Sequence, residues 1–373
     1  MTPTLIGGTG LFTPAESISN AELVAAFNAF VEAHNAEHAE AIAAGERAPL
    51  EPSSEAFIYK ASGIERRYVL EKSGILNPER MCPILPERPD DAPSYQCEMA
   101  VAAAEEALAQ ANCEAGEIDA VLAACSNFQR PYPAIAIEVQ SALGIDGYAV
   151  DMNMACSSAT FAIQAAVQAI QSGSARRVLV VNPEICSGHL NFRDRDSHFI
   201  FGDACTALVI EAAEVSRSPA PFAILNTRLR TRFSNNIRNN RGFLNRGDPA
   251  RADTPDKLFY QQGRKVFREV VPLVSELIAA HLGDAGIPVE AVRRFWLHQA
   301  NQSMNNLITK KLLGRPSTPA ESPTILDDYA NTSSAGSIIA FHKHRADLEE
   351  GDVGVICSFG AGYSMGSVLV RRA

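Results

Sequence analysis

Asp151-Met-Asn-Met-Ala-Cys156-Ser-Ser-Ala-Thr-Phe-Ala-Ile-Gln-Ala-Ala166 opens as an extended segment, turns through small residues and runs on into an amphipathic helix. Asn331-Thr-Ser-Ser-Ala-Gly336 repeats that elbow in the second half of the chain. Laying residues from about 97 to 211 over those from about 266 to 370 extends the match outward from both elbows. Each half begins with a helix (98–112; 266–283), followed by an Ala-Gly turn and a strand (118–125; 292–298). A helix closing on Leu-Gly comes next (134–144; 301–314), then the elbow, then a pair of hydrophobic strands. Two copies of one supersecondary unit predict a pseudo-twofold molecule whose site lies where the elbows face each other.

The strands read as continuous apolar runs, as in Ala120-Val-Leu-Ala-Ala-Cys, Arg177-Val-Leu-Val-Val-Asn and Ala207-Leu-Val-Ile-Glu, and helical stretches separate them. That pattern predicts an α/β protein with sheets covered by helices. Residues 1–215 and 216–373 are expected to form the two halves. Segments 31–55 and 71–93 fit neither copy and read as insertions, the second carrying prolines at 78, 83, 86, 89 and 93.

With 373 residues, 46% hydrophobic and 20% charged, the chain can bury a large core, which excludes a disordered or disulfide-scaffold protein. A formal charge of −10 and a pI near 5.4 argue against nucleic-acid binding. The N-terminus lacks a basic, apolar leader and no long apolar run is present, so a cytoplasmic protein without membrane insertion is expected. Eight cysteines without CxxC pairs read as reduced thiols, with neither disulfides nor a metal site expected.

Three residues carry chemistry in this pattern. Cys156 stands at a helix start, where free amides and the helix dipole favour a thiolate, and its small neighbours admit a thioester. His298, in Trp296-Leu-His298-Gln-Ala-Asn301, follows a strand whose repeat mate ends near Cys125, so it converges on the same crevice. The other seven histidines fall on charged stretches and read as solvated. Asn331 opens the second elbow; a side-chain amide beside an imidazole offers two neutral donors to one oxygen, the requirement for holding an enolate. Ser358-Phe-Gly360-Ala361-Gly362-Tyr363 is a glycine-rich turn whose amides suit a thioester oxyanion.

Together, Ala-Cys156-Ser, His298-Gln-Ala-Asn, Asn331-Thr-Ser, Ile200-Phe-Gly-Asp203 and Phe359-Gly-Ala-Gly-Tyr resemble, in order and over nearly the whole chain, the β-ketoacyl-acyl-carrier-protein synthase III family of the thiolase superfamily. The resemblance implies duplicated half-domains with mixed five-stranded sheets in an αβαβα arrangement, assembled as a homodimer. It also implies that Cys156 accepts an acyl group from acyl-CoA and that His298 and Asn331 bind a malonyl thioester on acyl carrier protein, with no further cofactor. A decarboxylative condensation then gives a 3-oxoacyl product. By the same matching, the amides of Cys156 and Ala361 form the oxyanion hole, and Phe267 and Phe359 line the site. Phe57 and Arg195 fall where the family stacks the CoA adenine, and Tyr132 falls on the residue that caps the partner's acyl pocket. Arg264, Lys265, Arg268, Lys310 and Lys311 form the candidate carrier-protein docking face.

Phe57 stands where the family has tryptophan, Ala61 where arginine is frequent and Ser303 where a docking base lies. The first two departures weaken the implied CoA contact, whereas the two insertions and Ala361 in the family's triple-glycine turn point to a substrate other than acetyl-CoA, with a medium-chain acyl-CoA favoured. An acyltransferase delivering the Cys156-bound acyl group to an alcohol or amine would not need Asn331. A non-catalytic partner subunit would need none of the three.

Overall fold

The computed structural model describes residues 2–373. Nine strands form one mixed sheet: β1 (Thr4–Phe12), β2 (Ala120–Ala124), β3 (Tyr148–Met152), β4 (Arg177–Glu184), β5 (Ala204–Ala212), β6 (Phe222–Ser234), β7 (Val292–Leu297), β8 (Val353–Gly360) and β9 (Gly362–Arg372). Their spatial order is β7-β8-β9-β6-β1-β5-β4-β2-β3. The N-terminal half supplies five of them and the C-terminal half four. The halves join where Thr4–Ile6 of β1 pairs antiparallel with Phe222–Ile224 of β6.

The missing fifth strand of the C-terminal half has a visible cause. Residues 320–325 run along the open edge of β7, with Phe295 N donating to Glu321 O at 2.8 Å and Arg294 Nε to Ala320 O at 2.6 Å. Pro323 then removes a donor, and the ladder does not propagate. In the other half the corresponding segment is β3, in parallel register with β2 over five residue pairs.

Helices pair off between the halves: α1 (Tyr95–Ala111) with α4 (Gly263–Asp284), α2 (Ile135–Leu143) with α5 (Gln302–Leu313), and α3 (Ser158–Ser172) with α6 (Ala335–Lys343). Three apolar clusters define five layers. α1 and α2 cover one sheet face through Ala103, Ala107, Val139, Val121 and Leu179. α4 and α5 cover the far face through Val274, Ile278, Ile308, Phe295 and Val355. Between the two halves lie α3 and α6, with Ala162, Ala166, Ile338 and Phe341 packed against Leu122, Val180, Trp296 and Ile356. The central layer must be thin, which explains the alanine-rich face of α3; a larger residue at Ala162 would overpack it by roughly 1–3 kcal/mol. The same economy brings α1 onto β1 backbone to backbone, since a Cβ at Gly10 would sit 1.9 Å from Ala103 O. The αβαβα arrangement implied by the resemblance is therefore present, with five strands in the first half and four in the second.

A fourth cluster lies outside the repeat. Helix Asn20–Glu37, helix Glu55–Ser62 and the stretch 186–201 bury Phe27, Val31, Ile58, Ile64, Phe192 and Phe199 together, forming a cap on the N-terminal half. Segment 71–93 has no regular structure of its own and is pinned by side chains. The Glu71 carboxylate accepts from Ile84 N (2.7 Å), Arg193 donates to Glu79 O (2.5 Å), and Arg88 pairs with Glu98 (2.7 Å). Not all the histidines outside the elbow pattern are solvated, contrary to the sequence reading. His198 is fully buried, stacked on Phe27 at a centroid distance of 4.4 Å, and His281 is buried against Ser367 Oγ (2.9 Å). The aromatic cap and the central strands enclose positions whose local sequence is polar.

Candidate active site

Both elbows are held in a backbone geometry that costs energy. Ala155 (φ 48°) and Ser333 (φ 50°) occupy the left-handed region, which is unfavourable for residues with a Cβ. Local hydrogen bonds fix the first elbow: Ala155 N donates to Asn153 Oδ1 (2.9 Å) and Met154 N to Ser158 Oγ (2.9 Å). The second half clamps it from across the molecule. Ser157 Oγ donates to Ser364 O (2.9 Å), and Ser364 Oγ to Met154 O (3.0 Å). At the end of β8, Gly360 lies so close that a Cβ there would meet Cys156 Cβ at 2.6 Å and Sγ at 3.0 Å. That approach explains the glycine in the Ser358–Tyr363 turn.

Cys156 is partly open to a cavity, yet its thiol is pushed up to about 11, chiefly by burial and then by the negative charge of Glu184. The Ser333 side chain and the backbone amides of Ala361 and Cys156 act in the opposite direction. These groups favour the thiolate, but desolvation outweighs them and favours the thiol.

His298 follows β7, its N–H donating to Cys357 O (2.8 Å), and it is 2% exposed. Burial holds its imidazole down at about 4, the Ser333 backbone opposing, so the ring is neutral at physiological pH. Phe359 packs edge-on to it at 5.3 Å. Asn331 is tied to the first half, its N–H donating to Ile200 O (3.0 Å) and its O accepting from Gly202 N (3.1 Å). This bridge explains the Ile200-Phe-Gly motif. Ser333 N donates to Asn331 Oδ1 (2.8 Å), which leaves Nδ2 as the free end of the amide.

One residue of this centre was not read from sequence. Glu184, at the end of β4, is 1% exposed and joins both halves. Its carboxylate accepts from Ser126 N (3.0 Å) and Ser126 Oγ (2.6 Å) of the first half, and from Ser334 N (3.1 Å) and Ser334 Oγ of the second elbow. Burial raises its pKa against these four donors. The sequence signal was an acid closing a fully buried strand whose centre, Val178–Val181, is apolar.

A cavity of about 750 Å³ brings Cys156, His298 and Asn331 together with Phe267, Phe359 and Gly360. Its lining is largely apolar and includes Phe199, Ile200, Phe201, Ile237, Phe259 and Val266, with Phe201 packed edge-on against Phe259 at 4.7 Å; exposed Asp196, Arg264 and Arg268 border it. Phe57 and Arg195 do not line it; the Arg195 guanidinium stacks 4.1 Å above the Phe57 ring. Tyr132 is also outside and is 82% exposed. Lys265, Lys310 and Lys311 are exposed on α4 and α5.

A duplicated αβαβα core with a cysteine, a neutral histidine and an asparagine at the meeting of its elbows defines the condensing-enzyme class of the thiolase fold. Comparison with known proteins makes this specific. Residues 150–231 match the model of 3-oxoacyl-[acyl-carrier-protein] synthase III, and residues 282–372 match that family's C-terminal model. The chain is 64% identical over 346 residues, 93% of its length and 99% of the relative's, to a β-ketodecanoyl-[acyl-carrier-protein] synthase of Pseudomonas aeruginosa. It is 34% identical over 275 residues, 72% of this chain and 82% of the other, to β-ketoacyl-[acyl-carrier-protein] synthase III of Mesorhizobium japonicum. Among solved structures, 3-oxoacyl-[acyl-carrier-protein] synthase III of Aquifex aeolicus superposes with a TM-score of 0.76 at 26% identity, covering 99% of each chain. The protein belongs to the 3-oxoacyl-[acyl-carrier-protein] synthase III family.

Proposed function

We propose that the chain condenses a medium-chain acyl-CoA with malonyl-acyl carrier protein through an acyl-Cys156 intermediate, with His298 and Asn331 as the decarboxylation pair. The observation that carries this reading is the shared apolar cavity, in which the thiol, a neutral imidazole and an oriented amide converge. Sγ attacks the primer thioester while the amides of Cys156 and Ala361 receive the developing oxyanion; the C–S bond to CoA breaks and CoA leaves with the thiol proton. His298 and Asn331 Nδ2 then donate to the malonyl thioester oxygen as carbon dioxide departs. The enolate carbon attacks the acyl carbonyl and expels the Cys156 thiolate, which recovers a proton. A neutral imidazole suits this step, since it donates without needing to lose charge, and each such donor is worth about 10²–10³ in rate.

An eight-carbon primer fits the name of the Pseudomonas relative, whose product label is ten carbons long. Phe57 and Arg195 would part to admit the adenine, and Phe267 and Phe359 would flank the pantetheine arm. Arg264, Lys265, Arg268, Lys310 and Lys311 would meet the carrier protein. A homodimer is supported by the open edge of β3, where Tyr148 and Val150 are 40% and 44% exposed, and by the exposure of Ile137 and Tyr132 in the preceding segment. In that assembly Tyr132 would close the partner's acyl pocket. Residues 1–215 and 216–373 would act as two half-domains of one cytoplasmic enzyme.

The test is intact-mass analysis after incubation with acyl-CoAs of two to sixteen carbons, with Cys156→Ser as control, before and after malonyl-acyl carrier protein is added. Adducts that peak near eight carbons, require Cys156 and clear with release of 3-oxoacyl carrier protein are expected. An adduct that clears only when an alcohol or amine is supplied would establish the acyltransferase instead.

A further inference from the structure

The chain is acidic overall, yet between positions 228 and 251 arginine occurs at 228, 230, 232, 238, 241, 246 and 251 against a single acid, Asp248. That segment therefore carries +6, and with a net charge of −10 the remainder of the protein sums to −16. Such segregation sets up a local field opposite in sign to the rest of the surface.

The arginines differ in what they do. Arg228 pairs with Asp284, Arg251 with Asp256 (3.5 Å), and Arg238 stacks 3.9 Å over Tyr260. Arg230, Arg232, Arg241 and Arg246 are exposed and make no ion pair among the described residues. Between the last two, Phe243 and Leu244 stand 86% and 74% exposed on a short 3-10 turn, and Phe233, at the end of β6, is 87% exposed. Large apolar side chains so exposed, flanked along the chain by unpaired cations, mark a contact surface.

The placement of this flap indicates its occupant. Its residue Ile237, and Phe259 just after it, line the cavity that holds Cys156, and the chain then leads into Arg264 and Arg268 at the cavity border. A partner seated on the flap is at the opening through which a thioester arm must enter. We propose that the flap, with Arg241 and Arg246 around Phe243 and Leu244 at its centre, is a docking surface for the acidic acyl carrier protein. It is distinct from the α4 and α5 cations and orients the carrier so that its arm enters between Phe259 and Arg264. This rests on the reading that the extender arrives on a carrier protein. A lipid surface would fit the charge and the exposed aromatics, but nothing about lipid would require the patch to adjoin the cavity.

The test uses the full-length protein and measures affinity for fluorescently labelled holo-acyl carrier protein by anisotropy, at low and moderate salt, for the wild type, Arg241→Glu/Arg246→Glu and Phe243→Ser/Leu244→Ser. Carrier affinity is expected to fall at least about tenfold in the charge-reversed variant and to lose most of its salt dependence. KM for malonyl-acyl carrier protein should rise in parallel, while Cys156 acylation by acyl-CoA and turnover with malonyl-CoA stay at wild-type values. Unchanged carrier affinity in both variants overturns the proposal. So does loss of binding to phosphatidylglycerol vesicles with carrier affinity intact, which assigns the flap to a membrane surface, or conversion of a dimer to monomer, which assigns it to a second copy. A wild type that binds carrier but yields no 3-oxoacyl product would refute the condensation reading while leaving the docking surface in place.

Discussion

Raising the pH around the free enzyme is the most discriminating perturbation of the site, because burial and Glu184 hold the Cys156 thiol at about 11 while burial holds His298 at about 4. At pH 8 such a thiol is about one part in a thousand thiolate, whereas an unperturbed cysteine near 8.5 is roughly one quarter ionised. Burial raises the thiol and lowers the imidazole together, so both shifts disfavour a resting thiolate–imidazolium pair. Proton loss must accompany attack on the thioester. Alkylation by iodoacetamide, read by intact mass with Cys156→Ser to subtract exposed Cys82, should be roughly two hundred times slower at pH 8 than for an unperturbed thiol. It should climb about tenfold per pH unit through pH 10. Glu184→Gln removes the raising charge and should shift the whole profile to lower pH. A rate that levels off between pH 7 and 8 would refute this reasoning, because it would show a stabilised thiolate.

Gly360→Ala places a methyl group 2.6 Å from Cys156 Cβ, so acylation by acyl-CoA should slow by about 10² or more while circular dichroism stays native. Asn331→Ala should acylate normally but condense about 10²–10³ times more slowly, a split visible in rapid-quench analysis of the two half-reactions. Acidification should destabilise the fold. His189, His198 and His298 are held at about 4 by burial, against about 6.5 unfolded, so the stability they confer is complete above 6.5 and is lost as the pH falls towards 4. Each accounts for about 2 kcal/mol between pH 7.5 and 5, partly offset by Asp203, whose raised value of about 6 acts in the opposite sense. Urea midpoints at the two pH values should show the net loss, and His189→Phe should reduce it.

Much of this molecule was legible because its sequence repeats. Two elbows with the same small residues gave the pseudo-twofold organisation, and they placed Cys156 and Asn331 at one meeting point, with His298 reached through the repeat mate of its strand. What escaped depends on contacts distant in sequence. Glu184 gains its four donors from Ser126 and Ser334, at separations of 58 and 150 residues. The direction of the Cys156 shift follows from how completely the halves close over it, which no local pattern encodes. His198 sits among charged neighbours in sequence, yet it is stacked on Phe27 beneath the cap. The basic run at 228–251 was present in the sequence, but only the fold shows that Ile237 within it, and Phe259 just beyond it, line the catalytic cavity.

The central claim is that the Cys156-bound acyl group is consumed by decarboxylation of the extender. It is tested most directly by a single turnover of pre-acylated enzyme with malonyl-acyl carrier protein labelled with carbon-13 at the free carboxylate. Labelled carbon dioxide, loss of the acyl-Cys156 mass and unlabelled 3-oxoacyl carrier protein should appear in one-to-one-to-one proportion. Retention of the acyl-enzyme while labelled carbon dioxide is released, or disappearance of the acyl group without any release, would contradict it.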